Sequence, residues 1–237
     1  VTMVLHLALT ELRLLFRKKL TMVSVVVLPA ALCAMAYLQL RGLPKSEWPG
    51  QLGLTYVMLL ALSVFLVSTT VFTARRQSLV LQRLRTSELS DNGVFAGIAG
   101  PIMVVGLVQS IVYMGFCLAI GAPAPQQVGP VVIGLVLGLP TAMLAGIVTA
   151  AFSRSVEVTQ ITAVPLLFTA FAGIIMARVD NEIVATIGAA LPMAGPGELL
   201  AEGWSGSLST VGLVATIGWL LVLGLVGQRF FKWEPRQ

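Results

Sequence analysis

Ionisable side chains, the ones able to move protons, bind metals or meet a charged partner, are confined in this chain to short stretches between long apolar runs. The richest stretch is RRQSLVLQRLRTSELSDN, from Arg75 to Asn92. On a helix, Leu81, Leu84 and Glu88 share one face with Arg85 beside it, and Ser87 to Asn92 supplies turn formers. Such an amphipathic segment is either a docking surface for a soluble partner or a solvated charged loop. Two of the apolar runs carry hydroxyls at helical spacing. Phe65, Thr69, Phe72 and Thr73 share one face, and Thr159, Thr162, Leu166 and Thr169 another. Uncharged hydroxyls and rings suit the pathway of an amphipathic or lipid-like substrate, and Ser and Thr equally serve as contacts between membrane helices. The lone His6 and the two cysteines, Cys33 and Cys117, form no metal or disulfide pattern. The cysteines read as small buried apolar residues.

The elements that position these residues follow from composition. Of the 237 residues, 57% are apolar and only 11% charged, where a soluble domain carries roughly 25% charge. With a mean hydropathy of +0.94, too little charge exists to cover a water-exposed globule, and the solvent is a bilayer. A crossing helix needs about 20 apolar residues. Uncharged runs of that size predict six crossings, over about 20–40, 52–74, 93–120, 130–152, 158–177 and 205–228, within a single transmembrane domain. Residues 1–19 place Leu5, Leu9, Leu12 and Phe16 at three- and four-residue spacing, which predicts an interfacial helix on the inner leaflet, the alternative being a simple positive-inside anchor. Their basic residues followed by an apolar run resemble a signal peptide, but no small-residue cleavage pattern closes the run, so 20–40 is kept as a crossing.

The apolar piece from Ile183 to Gly197 is short and broken by Pro192 and Pro196, so 178–203 is expected to form a re-entrant or interfacial outer hairpin. With six crossings, all 15 basic residues except Arg41, Lys45 and Arg178 fall on one side. That side is cytoplasmic by the positive-inside tendency, with both termini there. A seventh crossing would move Arg229, Lys232 and Arg236 outside. The predicted crossings hold no ionisable residue, and burying one costs about 2.5–3.5 kcal/mol on insertion scales. That pattern disfavours a proton antiporter, a voltage sensor or an intramembrane metalloenzyme. No His-Glu-x-x-His, Gly-x-Ser-x-Gly or Walker motif is present, and no inverted repeat of broken helices is evident.

This arrangement, with LQRLR at Leu81 to Arg85 on the inside segment and a broken outer hairpin before the last crossing, resembles the type-2 ABC transporter permease family over essentially the whole chain. The local match lies between Arg76 and Ser90. Arg76, Leu81, Arg83, Leu84, Arg85, Leu89 and Ser90 follow the family's pattern, while Gln77 stands where an acid is usual, Leu79 and Val80 replace glycine and threonine, and Glu88 replaces proline. LPMAGPGELLAEGW, from Leu191 to Trp204, and FKWEPRQ, from Phe231 to Gln237, resemble bacterial members of the drug or lantibiotic-resistance type.

The resemblance implies an all-α polytopic permease in a bacterial plasma membrane, exporting a drug, lipid or peptide. Two copies of a separate cassette ATPase would use ATP and Mg, a second permease, identical or related, would complete the pathway, and no cofactor would bind this chain. It also implies that the 75–90 segment is the coupling helix, with Arg75, Arg76, Gln77, Leu81, Arg83, Leu84, Arg85 and Glu88 meeting the ATPase. The pathway would be lined by Phe65, Thr69, Phe72, Thr159, Thr162 and Thr169 against substrate and membrane lipid. Neither catalysis by this chain nor nucleic-acid binding is expected. The competing account is a non-transporting interaction or assembly subunit of immunity or sensor type, distinguished by the absence of substrate flux and of a neighbouring cassette ATPase.

Overall fold

Each long apolar run carries its own stop signals, and these set the helix ends. The computed structural model describes residues 8–10, 13, 26–78, 90–207 and 210–231, and every regular element among them is helical. Helix α1, Leu28–Arg41, starts with Pro29 in its first turn, where the missing N–H is not needed. It ends with Arg41 over the Tyr37 ring at 4.5 Å. At 14 residues the described helix is about 21 Å long, and the earlier part of the expected 20–40 crossing lies outside the described residues.

A short turn of 3-10 helix, Lys45–Glu47, leads into α2, Trp48–Leu59, a π-helical turn at Leu60–Phe65, and α3, Leu66–Gln77. Together they form one apolar helix of 33 residues. The crossing expected to stop at Ala74 therefore continues, and Arg75, Arg76 and Gln77 make its last turn instead of opening a separate helix. Helix α4, Asp91–Ala119, is capped by Ser90 Oγ, which accepts from the Gly93 N–H at 3.2 Å. Helix α5, Val128–Phe152, and helix α6, Val156–Met176, follow, with Ser155 capping α6. Helix α7, Glu182–Ala190, helix α8, Gly195–Ser205, and helix α9, Thr210–Phe230, complete the chain. Five of these helices are long and apolar enough to cross a membrane, which makes this a multi-pass membrane protein.

The expected short hairpin is two helices of 9 and 11 residues, too short to cross. They are joined through Met193, whose φ of 66° costs about 1–2 kcal/mol for a residue with a side chain. Complete burial of that side chain offsets the strain. Between Gly195 and Trp204 every residue of α8 but Glu198 is buried, because α8 is enclosed by α2, α5 and α9. Gly206, at φ 74°, ends it in the left-handed conformation that glycine adopts freely.

Two ends of the bundle differ in charge. At one, Phe72, Phe95 and Phe231 cluster with ring centroids 5.2–6.0 Å apart, Phe152 meets Phe230 at 5.7 Å, Arg75, Arg76 and Arg229 fall in the last turns of their helices, and Arg154 lies in the turn between α5 and α6. At the other, Trp204 Nε1 donates to Pro123 O at 2.8 Å and the Gln127 N–H to Gly203 O at 2.9 Å. Arg41, Lys45 and Arg178 there are outnumbered by Glu47, Asp180, Glu182, Glu198 and Glu202.

Candidate functional site

The last turn of α3 makes the basic end a fixed corner. Arg76 is fully buried, and its guanidinium donates to Ala151 O at 3.5 Å and to Ser153 O. These carbonyls belong to the C-terminal turn of α5, where acceptors lack intrahelical donors and the helix dipole favours a cation. One residue on, Gln77 Oε1 accepts from the Val156 N–H at 3.2 Å, at the first turn of α6. Ser155 Oγ serves the next free donor, Val158 N–H, at 3.4 Å. Two consecutive side chains of α3 thus hold both sides of the corner Ser153–Ser155. Of the residues expected at the coupling surface, Arg75 is half-buried and Gln77 exposed at this corner, while Arg76 faces inward. Leu81, Arg83, Leu84, Arg85 and Glu88 lie outside the described residues, as do nearly all of residues 1–19.

The expected pathway residues are not gathered on one open surface. Phe65, Thr69 and Phe72 do share a face, yet all three are fully buried inside the chain's own core. Thr69 Oγ1 is bonded back to Phe65 O at 2.8 Å. Thr159 is buried as well, whereas Thr162 and Thr169 are half-buried. The hydroxyls of Thr162 and Thr169 bond to carbonyls of their own helix at 3.0 Å. The outward face of α6 is instead apolar, carrying Ile161, Val164, Phe168 and Ile175.

Glu198 and Glu202 fall within the expected 178–203 outer hairpin, and α8 carries them into the bundle. Glu202 is buried, and Glu198 Oε1 is buried with no hydrogen-bond donor among the described residues. Burial pushes the Glu198 carboxyl above the usual carboxylate range, and the charge of Arg178, which lies against Gly50 of α2, pulls it back. Folding therefore disfavours the ionised form of Glu198. Its contribution to stability is complete below pH ~4 and is lost as pH rises through the raised folded value. Thermal unfolding of the purified protein should show a midpoint that falls across the acid range, and Glu198→Gln should remove that component. An unchanged profile in the variant would clear Glu198 of the effect.

The glycines of α8 are close-packing sites. A Cβ on Gly197 would sit 2.8 Å from Gly53 O, one on Gly195 2.7 Å from Gly212 O, and one on Gly203 2.8 Å from Gln127 O. The sequence signal was there in small residues at helix-contact spacing, the usual device for close approach between membrane helices.

Comparison with protein-family models, with curated proteins and with solved structures finds no match in any of the three.

Proposed function

We propose that this chain is the membrane permease subunit of an ATP-driven exporter of the type-2 ABC kind, moving an amphipathic or hydrophobic substrate out of the cytoplasm or inner leaflet of a bacterial plasma membrane. In this account the 20–40 segment is a sixth crossing. The basic end faces the cytoplasm by the positive-inside tendency, and α7 and α8 form a re-entrant plug at the opposite face. Two cassette ATPase subunits supply the energy from ATP and Mg, and a second permease, identical or related, completes the pathway. This chain performs no hydrolysis of its own.

The observation that supports this reading is the tie of Arg76 and Gln77 to the α5–α6 corner. A pull on the segment following α3 is delivered directly to the end of one crossing and the start of the next. A docking helix over 81–90 would meet the ATPase, and residues 76 and 77 would transmit its motion. In vesicles containing the permease and its ATPase, reversing the charge at Arg83 and Arg85 is expected to leave assembly intact while separating ATP hydrolysis from export. Unchanged transport in that variant would remove the coupling role from this segment.

A further inference from the structure

Between α4, α5 and α9, in the half of the bundle next to the basic end, lies an open apolar groove of about 700 Å³ lined by Phe95, Met103, Pro140, Met143 and Phe231. None of the expected pathway residues lines it: Phe65 and Thr69 are buried in the core, and Phe72 packs behind its walls against Phe95 and Phe231. Two of its wall residues, Gly224 and Gly227, set it apart from a packing defect. A Cβ on either would have its nearest neighbour at 3.8 Å, ordinary contact, whereas the glycines of α8 allow no such atom. Glycine inside a helix is destabilising relative to alanine, and here no close contact among the described residues requires it. What these glycines do is keep the groove wide. Gln228 stands on its wall and exposed Arg229 follows it at the helix end, at the basic end of the bundle, so a headgroup at this level meets positive charge.

We propose that this groove is a lipid site that takes an acyl chain of an anionic phospholipid from the leaflet at the basic end, with the headgroup near Gln228 and Arg229. Hydrocarbon matches the lining, and the charge selects anionic over zwitterionic lipid. The inference uses the orientation given above but not the ATPase, so its failure leaves the exporter reading standing and the reverse also holds.

The full chain in phosphatidylcholine nanodiscs doped with phosphatidylglycerol bearing a diazirine midway along one tail provides the test, with labelled peptides mapped by mass spectrometry. Labelling is expected at the Phe95–Met103 and Met143–Ile147 peptides above the level on the outward face of α6. Gly227→Leu should abolish it without lowering the unfolding temperature. Ala96→Phe, filling the groove from the opposite wall, should do the same and serves if the first variant fails to assemble. Phosphatidylglycerol should outcompete the matching diazirine phosphatidylcholine, and Arg229→Gln should weaken that preference about fivefold, one basic residue at a membrane surface being worth about 1 kcal/mol. Equal labelling of groove and α6 face, labelling that survives both filled variants, equal labelling by the two lipids, or crosslinks between two copies across the groove would each overturn the proposal.

Discussion

Replacing Arg76 with alanine is expected to loosen the α5–α6 corner and to abolish coupled transport, although the side chain is wholly buried. The substitution strips the donor from the Ala151 and Ser153 carbonyls. Hydrogen bonds to a charged group contribute about 1.5–3 kcal/mol each, and a buried acceptor left bare adds its own penalty, so a loss of about 3 kcal/mol is expected. The unfolding temperature should drop and amide exchange across 151–158 should accelerate. Arg76→Lys should recover only part of this, because an ammonium lacks the planar fork that reaches two acceptors at once. In the reconstituted system Arg76→Lys should still bind the ATPase and hydrolyse ATP, with export reduced. Wild-type exchange in the alanine variant would mean that the guanidinium does not hold the corner.

The second large effect is expected where α8 meets α2. Gly197→Ala places a methyl 2.8 Å from Gly53 O and against Val57 and Ile174. A backbone carbonyl cannot swing aside as a long side chain can, so the helices must separate, and overpacking of this kind costs about 1–3 kcal/mol. Gly224→Ala is the matched control, since among the described residues its methyl meets nothing nearer than 3.8 Å. It should be neutral or stabilising by up to about 1 kcal/mol through helix propensity. Opposite signs for the two substitutions, read as unfolding midpoints, are the expected outcome. Equal effects would mean that α8 is not locked by backbone contact.

Run length carried the long helices. The α4, α5 and α6 ends fall within two residues of expectation, because Ser90 and Ser155 cap and uncharged runs stop at charges. The start of α9 was missed by five residues, since GELLAEGWS continues as helix to Ser205 and treats its glutamates as part of the buried element. The π turn at Leu60–Phe65 has no local signature that distinguishes it from regular helix.

The site was legible in part. Periodicity groups Phe65, Thr69 and Phe72 on one face, but a single sequence does not say what a face meets, and this one meets its own chain. Gln77 was noted as a departure from an acid, and its amide oxygen supplies an acceptor for the α6 N-terminus, which needs one whether or not it is charged. Arg76 looked like another surface arginine because nothing in its neighbours announces the two carbonyls brought to it by α5.

Solubilising the protein from its native membrane, isolating it with whatever remains bound, and assaying the eluate for ATPase activity alongside mass spectrometry tests the central claim most directly. The account predicts a stoichiometric cassette ATPase with activity in the eluate. Recovery of the protein alone, or with a partner that does not hydrolyse ATP, would contradict it.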